Sequence, residues 1–149
     1  MASGVATFVA ACSTDVSNPG TTTVDDPTLG RVYQWEKDDL LLLVSGLQPT
    51  YHPGEEIRFH LTLNNQTAAP VDVLVRTKLL GRGQQVVVQA EVYPTTIQAQ
   101  DAVQLDRALP LPRGLPPEDY TLQVELPPWV RGGGTVGGGA LLAPVRVVQ

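Results

Sequence analysis

The residues of this sequence that could take part in catalysis or metal binding are few and far apart. There is one cysteine, Cys12, and there are two histidines, His52 and His60, so neither a Cys-based zinc cluster nor an H-E-x-x-H site is present. Beyond the N-terminal segment the only serine is Ser45, and no G-x-S-x-G nucleophile elbow surrounds it. The sequence therefore predicts a protein that is not an enzyme and that uses no cofactor, metal ion or small-molecule substrate.

Adjacent acidic residues are the remaining candidates for ion binding. They occur as Asp25-Asp26, Asp38-Asp39, Glu55-Glu56 and Glu118-Asp119. Such pairs could supply oxygen ligands to Ca²⁺ at the ends of β-strands, but none has the spacing of an EF-hand loop. We interpret them as solvated carboxylates in turns.

The segment that precedes Cys12 is apolar and made of small residues. Val9-Ala10-Ala11-Cys12 resembles a bacterial lipobox, in which such residues precede a cysteine that is lipidated and becomes the new N-terminus. Residues 1–11 are short for a signal segment and contain no Lys or Arg, whereas a secretory signal begins with positive charge. This would fit a true start upstream of Met1. The alternative is a free cysteine in a short N-terminal strand or helix.

Residues 13–30 are polar, rich in Ser, Thr, Asp, Pro and Gly, and lack both helical and strand periodicity. Such a stretch buries too little apolar surface to offset the entropy of ordering it. We predict that residues 12–30 form a lipobox cysteine followed by a flexible spacer, the alternative being an ordinary disordered terminus. No run of 18 or more apolar residues offers a transmembrane attachment.

From residue 31 onward apolar and polar residues alternate with a period of two, the pattern of half-buried β-strands. In the stretch 56–65 the apolar positions are Ile57, Phe59, Leu61 and Leu63. The same alternation predicts further strands with these inward residues: Val71, Val73 and Val75; Val86, Val88, Ala90 and Val92; Tyr120, Leu122, Val124 and Leu126. Shorter candidates lie at 31–36, 38–46, 102–109 and 140–148, the last confined to an edge or bulge by Pro144. Seven to eight strands predict an all-β fold for residues 31–149, an Ig-like sandwich of two antiparallel sheets.

Turn residues separate these strands. The chain has 13 prolines and 14 glycines, and Tyr-His-Pro-Gly-Glu at 51–55 predicts a tight turn that leads into a strand. Asn65-Gln66-Thr67 fits a glycosylation sequon, but we interpret it as the cap of a hairpin turn.

Strand order and turn motifs together resemble those of bacterial Ig-like domains of surface proteins and are similar to macroglobulin-type (MG2-like) and CARDB-like sandwich modules. The resemblance covers roughly residues 39–126. The residues that carry it are Tyr51, Pro53, Gly54, Glu55, Asn65, Pro70, Leu115, Tyr120, Leu122 and Val124. It implies a sandwich fold, in which the hydroxyl of Tyr120 reaches back to loop backbone as in a tyrosine corner. Glu118 stands where these modules usually have Gly, so we expect the turn into that strand to differ from theirs.

One Pro-rich stretch is a candidate for protein contact. We call residues 109–117, LPLPRGLPP, the connector; it is extended and apolar, and Trp129 follows the next strand. If exposed, Leu111, Pro112, Arg113 and Trp129 would form a partner-binding rim. The alternative is that the connector leucines and Trp129 cover one open end of the sandwich.

Charge limits the class of partner. With 15 acidic and 10 basic residues the net charge is −5, and no dense basic patch favours nucleic acid or an anionic membrane surface. The preferred prediction is a non-enzymatic cell-envelope lipoprotein that faces the periplasm or exterior and binds or organises envelope or surface proteins; a secreted protein is the alternative location. The alternative function is that of a protease inhibitor of the BsuPI type, with the connector as its inhibitory loop.

Overall fold

The computed structural model describes residues 21–90, 92–131 and 134–149. The predicted lipidation site, Cys12, lies outside them. The strands are β1 (Thr21–Asp26), β2 (Gly30–Lys37), β3 (Leu40–Ser45), β4 (Glu56–Asn65), β5 (Val71–Leu80), β6 (Val86–Gln89), β7 (Tyr93–Ile97), β8 (Ala102–Pro110), β9 (Asp119–Leu126), β10 (Trp129–Arg131), β11 (Gly134–Val136) and β12 (Gly139–Arg146). A 3₁₀ turn occupies Arg82–Gln84. No helix within the described ranges is long and apolar enough to cross a membrane.

The strands form two antiparallel sheets that pack face to face. The first sheet has the order β1-β2-β3-β4-β8. The second has the order β11-β10-β5-β9-β12, with β6 and β7 also paired to β5. The predicted all-β, Ig-like two-sheet sandwich is therefore confirmed.

More strands are seen in the described ranges than the seven or eight expected, because three ladders of the second sheet are interrupted. β9 and β10 both pair with β5 and are separated by Pro127-Pro128, which cannot donate ladder hydrogen bonds. β6 and β7 lie along the other side of β5. β11 and β12 follow β10 and β9 in a single register, broken at Gly137 and Gly138. Residues 134–136, which lie among glycines near the C-terminus, therefore form strand β11 of the second sheet.

The core follows the predicted alternation. All predicted inward residues of β4, β5 and β9 are buried between the sheets: Ile57, Phe59, Leu61, Leu63, Val71, Val73, Val75, Tyr120, Leu122, Val124 and Leu126. Trp35 of β2 joins them and lies directly over Gly139 of β12, where a Cβ atom would fall 2.1 Å from the indole ring. Only glycine fits that approach between the two sheets.

The prediction that Val86, Val88, Ala90 and Val92 all face the core is wrong for the first and the last of these residues. Val86 and Val92 are 46% and 40% exposed, while Val88 and Ala90 are only partly buried. The strand lies at the edge of its sheet and pairs with β5 through a register shift between Leu79 and Leu80. A bulged edge strand does not keep one face on the core over its whole length.

The boundary of the predicted spacer also needs correction. Residues 21–26, placed in the spacer because they lack apolar periodicity, form β1 and pair with β2 from Thr21–Trp35 to Asp26–Gly30. Backbone pairing and contact with the opposite sheet order this strand: Thr21 is buried, and its Oγ1 accepts a 3.2 Å hydrogen bond from the backbone N–H of Leu142. The folded domain therefore begins by residue 21.

Asn65 has the turn role expected for it. Its Nδ2 donates to the carbonyl oxygens of Ala69, Ile97 and Gln98 at 2.8–3.1 Å, and its Oδ1 accepts from the backbone N–H of Thr67 at 3.0 Å. The side chain is fully buried. An amide engaged in this way is a structural element of the β4–β5 turn.

Candidate contact surface

The connector lies across one open end of the sandwich and is anchored by its leucines. Leu109, Leu111 and Leu115 are 0%, 4% and 6% exposed and belong to the hydrophobic core. The backbone N–H of Leu111 donates a 2.8 Å hydrogen bond to the carbonyl of Glu55, which joins the connector to the turn before β4. The connector therefore covers the end of the core, which is the second of the two interpretations raised by the sequence.

Between the two buried leucines the chain turns outward. We call residues 112–114 the connector tip: Pro112, Arg113 and Gly114 are all exposed. The turn is closed by a 3.3 Å hydrogen bond from the N–H of Leu115 to the carbonyl of Pro112. Of the four residues predicted for partner binding, Pro112 and Arg113 are thus at the surface.

The other two predicted contact residues are not at the surface. Leu111 is 4% exposed and Trp129 is 2% exposed, so neither side chain forms part of an exposed rim. Trp129 begins β10, and its side chain belongs to the hydrophobic core. It lies just after the break that separates β9 from β10 along β5. Its indole Nε1 has no hydrogen-bond partner among the described residues.

A second tight turn supports the connector tip from the side. In residues 52–55 the N–H of Glu55 donates to the carbonyl of His52 at 3.1 Å, and the Oε1 of Glu55 accepts from the N–H of His52 at 2.6 Å. Gly54 has φ +88°, and a Cβ there would lie 3.4 Å from Cγ of Arg113. The turn is held by buried Tyr51, whose hydroxyl accepts from the N–H of Gln48 at 2.8 Å; burial raises the pKa of this hydroxyl.

A polar groove of about 490 Å³ opens beside the connector at the same end of the domain. Two arginines and two carboxylates face each other across it, Arg82 with Glu118 at 3.7 Å and Arg146 with Asp119 at 3.9 Å. The C-terminal residues complete its wall. The connector tip and this groove give the end of the sandwich a mixed-charge, exposed surface.

The structure also assembles a row of polar residues that the sequence did not bring together. Ser45, His60 and Asp106 are cross-strand neighbours on β3, β4 and β8, all on the outer face of the first sheet. His60 Nδ1 lies 2.5 Å from Asp106 Oδ1, and its ring packs over Gly46. The register of β3 with β4, and of β4 with the distant strand β8, aligns them, so no local motif could have revealed the row.

The order of side chains in this row is that of a serine, a base and an orienting carboxylate. However, the side chains of His60 and Asp106 are 65% and 87% exposed, and the depression around them is open. Nucleophilic catalysis by serine requires a base in hydrogen-bond reach and donors aimed at the developing oxyanion in an enclosed site. In so exposed a setting the His60–Asp106 contact is a surface contact, of a kind that contributes little to stability.

In the described part of the chain, no three His, Cys, Asp or Glu side chains are grouped so that they could hold a metal ion. Three of the four acidic pairs, Asp25-Asp26, Glu55-Glu56 and Glu118-Asp119, have side chains in hydrogen bonds or ion pairs with neighbouring residues. Asp26 Oδ1, for example, accepts from the backbone N–H groups of Thr28 and Leu29 at 2.8 and 2.9 Å. These two bonds lower the pKa of Asp26, with the larger contribution from Leu29.

Comparison with known proteins gives no family for this chain. No family model matches the sequence, and no curated protein matches it. Among solved structures, a family 123 glycoside hydrolase from Clostridium perfringens is 10% identical with a TM-score of 0.49 over 66% of this chain and 22% of that one. This chain therefore spans about a fifth of that protein's length.

Two further structures resemble this chain over most of their own length. The PapD-like domain 7 of human CEP192 is 15% identical, with a TM-score of 0.48 over 72% of this chain and 85% of that one. A protein from Archaeoglobus fulgidus is 14% identical, with a TM-score of 0.40 over 78% and 94%. With TM-scores below 0.5, none of the three structures bears on the function of this chain.

Proposed function

We propose that this protein is a non-enzymatic binding module of the cell envelope, attached through a lipid on Cys12, and that it contacts envelope or surface proteins through the connector tip. The observation that carries the proposal is the combination of exposure and anchoring in residues 112–114. An exposed Pro-Arg-Gly turn is held between two buried leucines and tied to a second turn by a backbone hydrogen bond.

Anchoring matters because flexible loops lose conformational entropy when they bind. A turn already fixed by buried neighbours and by proline avoids part of that cost. Arg113 adds a planar donor group that pairs with carboxylates, and arginine is enriched among residues that dominate binding energy. Pro112 presents a rigid apolar ring beside it.

The strand register puts this surface at the opposite end of the sandwich from the first described residue. Thr21 is level with Trp35 on β2 and, through the ladder, with Val103 on β8. Pro110 lies about seven residues further along β8, or about 23 Å at the rise of a β-strand. The chain therefore enters the described domain at the end away from the connector tip, which supports a contact surface directed away from an N-terminal anchor.

Site-specific photo-crosslinking tests the contact surface. A crosslinking residue at Gly114, which is exposed and has open space for a side chain, should capture envelope proteins in intact cells. The same residue at exposed Gln98, in the β7–β8 turn at the other end, should capture few. The double variant Pro112→Ala with Arg113→Ala should weaken capture through the crosslinker at position 114. Equal products from positions 114 and 98 would contradict the proposed surface.

The anchor is tested separately. The native protein should partition into detergent, and Cys12→Ser should abolish that behaviour without affecting the fold. Two acyl chains are expected, because a single chain gives only marginal membrane affinity. A fully aqueous, unprocessed protein would exclude the lipoprotein and leave the contact surface to be judged on the crosslinking result.

The same exposed turn supports a second candidate, protease inhibition. An inhibitory loop must be exposed yet rigid, and an arginine at its tip suits proteases whose specificity pocket contains an aspartate. Residues 112–114 meet both conditions. A panel of trypsin-like proteases separates the candidates: inhibition that disappears in Arg113→Ala would favour the inhibitor, and no inhibition would favour the envelope contact.

A further inference from the structure

Strand β8 is the longest edge strand among the described residues, and one side of its backbone has no strand beside it. It pairs with β4 from Glu56–Pro110 to Asn64–Ala102, and β4 occupies only one of its two edges. Proline is absent from residues 102–109. A row of unpaired N–H and C=O groups on a regular strand is a template for pairing with another strand.

The other edge strands are all shorter than β8, and several are interrupted. β1, at the opposite edge of the first sheet, has six residues. β12 carries Pro144, and its backbone N–H at Leu142 is already bonded to Thr21. β6 and β7 are short; β6 pairs with β5 through a register shift, and β7 contains Pro94. β8 is therefore the edge best suited to strand addition.

The inward side chains along β8 are incompletely covered. Val103 and Leu105 are only partly buried against the core. Arg107 lies over the exposed ring of Tyr93, 5.2 Å from its centroid, and its Nε is buried without a hydrogen-bond partner within the described chain. This edge combines backbone groups that no strand pairs, apolar side chains and a cation. At its first residue, Ala102, the backbone N–H donates to Oδ1 of Asp101 at 2.8 Å.

We propose that two copies of this chain pair through β8, antiparallel and centred on Gln104, to form one continuous sheet. In this register Asp101 of each copy stands opposite Arg107 of the other, and Val103 stands opposite Leu105. Asp101 is exposed and extends the β4–β8 ladder, because its carbonyl accepts from the N–H of Asn65 at 2.8 Å. The pairing thus forms one pair of opposite charges twice and one apolar pair twice, with the self-complementarity that a two-fold interface requires.

The alternative register centred on Leu105 places Asp101 opposite Leu109 and leaves Arg107 opposite Val103. Charge complementarity therefore favours the register centred on Gln104. A single strand pair buries less surface than a permanent dimer needs, so we expect a reversible dimer that forms at high protein concentration. This inference is independent of the contact proposed for the connector tip, which lies beyond the end of β8.

Charge reversal with rescue tests the pairing. Sedimentation velocity of the full chain from low-micromolar to millimolar concentration should show a monomer–dimer equilibrium. Asp101→Arg or Arg107→Asp should each raise the dissociation constant by roughly tenfold or more, because like charges then face each other twice. The double variant Asp101→Arg with Arg107→Asp should restore dimerisation.

Asp106→Arg is the matched control. It makes the same change in net charge on the same strand, but in the proposed register position 106 faces Ala102, so dimerisation should be retained. Thermal unfolding of each variant shows whether loss of the Arg107–Tyr93 contact has damaged the fold, and rescue by the double variant excludes simple misfolding. A wild-type chain that stays monomeric throughout would overturn the proposal and assign Arg107 to edge protection. Dimerisation insensitive to charge reversal, or without rescue, would also overturn it.

Discussion

The hydroxyl of Tyr120 donates a 2.6 Å hydrogen bond to the carbonyl of Pro116 and thereby ties the end of the connector to the first residues of β9. This is the tyrosine-corner contact expected from the sequence, and it forms although Glu118 replaces the usual glycine. Tyr120 is also buried, which raises the pKa of its hydroxyl. The connector is therefore fixed from both sides, by Glu55 at Leu111 and by Tyr120 at Pro116.

Tyr120→Phe should lower the free energy of unfolding by about 1 kcal/mol, because it removes this bond and leaves the Pro116 carbonyl unpaired. Hydrogen exchange at the Leu115 amide should accelerate in the variant. Denaturant unfolding and exchange measured together check both effects. Unchanged exchange at Leu115 would show that the connector does not depend on Tyr120.

The difference in unfolding free energy between wild type and Tyr120→Phe should depend on pH, in a direction that follows from the pKa of Tyr120. The pKa of Tyr120 is raised in the folded state, so its contribution to stability is fully present below the unfolded pKa of about 10 and is lost as pH rises through the folded pKa. The stability gap between wild type and Tyr120→Phe should therefore close in alkali. Buried Tyr51 titrates in both proteins and cancels in the comparison.

Core and surface positions on the same strands should respond differently to truncation. Phe59→Ala or Leu122→Ala should cost roughly 2–5 kcal/mol, since both side chains are buried between the sheets. His60→Ala and Gln123→Ala, on the outer faces, should stay within about 0.5 kcal/mol. Thermal or denaturant unfolding compares the four variants, and similar losses in both pairs would mean that the strand register is different.

The strands with regular alternation can be predicted from the sequence, because a strand with one face in the core has an apolar side chain at every second residue. Ile57 to Leu63 and Tyr120 to Leu126 are the clearest cases, and all their inward residues are buried. β1 lacked that signal, since Thr21–Asp26 is stabilised by backbone pairing and has few large apolar side chains. The Val86–Val92 stretch had the signal, but its edge position and bulge did not let the whole stretch face the core.

The candidate contact surface was predicted in part for a similar reason. The sequence marked LPLPRGLPP as unusual, but not which of its residues face outward, because a connector has no periodicity to separate core from surface. Burial of Leu111 and exposure of Arg113 follow from the way the connector crosses the end of the sandwich. The Ser45–His60–Asp106 row and the β8 edge depend on strand order, which no local pattern in the sequence contains.

The β1–β2 turn should weaken in acid. Two backbone N–H bonds lower the pKa of Asp26, so its contribution to stability is present above the unfolded pKa of about 4 and is lost as pH falls through the lower folded pKa. Asp26→Asn should therefore be less stable than wild type at neutral pH and equal to it in strong acid. Unfolding measured from pH 7 downward, with an NMR titration of the Asp26 carboxyl, checks the sign; a gap that widens in acid would contradict it.

Substitution of Leu111 should reduce stability, whereas substitution of Arg113 should reduce partner binding. Leu111→Ala should cost roughly 2–5 kcal/mol because it opens a cavity in the core, and Trp129→Ala should cost roughly 3–5 kcal/mol. Arg113→Ala should leave stability within about 0.5 kcal/mol while it weakens capture of the partner. Unfolding curves set beside crosslinking yields give the test. A stability loss in Arg113→Ala as large as that in Leu111→Ala would mean that the tip is part of the core.

The histidines and Ser45 should be dispensable for function if the protein acts by surface contact. His60 and Asp106 form an exposed pair, which contributes little to stability in water, and His52 lies in an exposed turn whose bonds are made by its backbone. His52→Ala with His60→Ala, and separately Ser45→Ala, should therefore fold normally and retain partner capture through a crosslinker at Gly114. A fluorophosphonate probe, which labels activated serines, should not label Ser45 above the level of the denatured protein. Labelling that requires both His60 and Asp106, or loss of function in the histidine variant alone, would show that the row is catalytic and would overturn the non-enzymatic proposal.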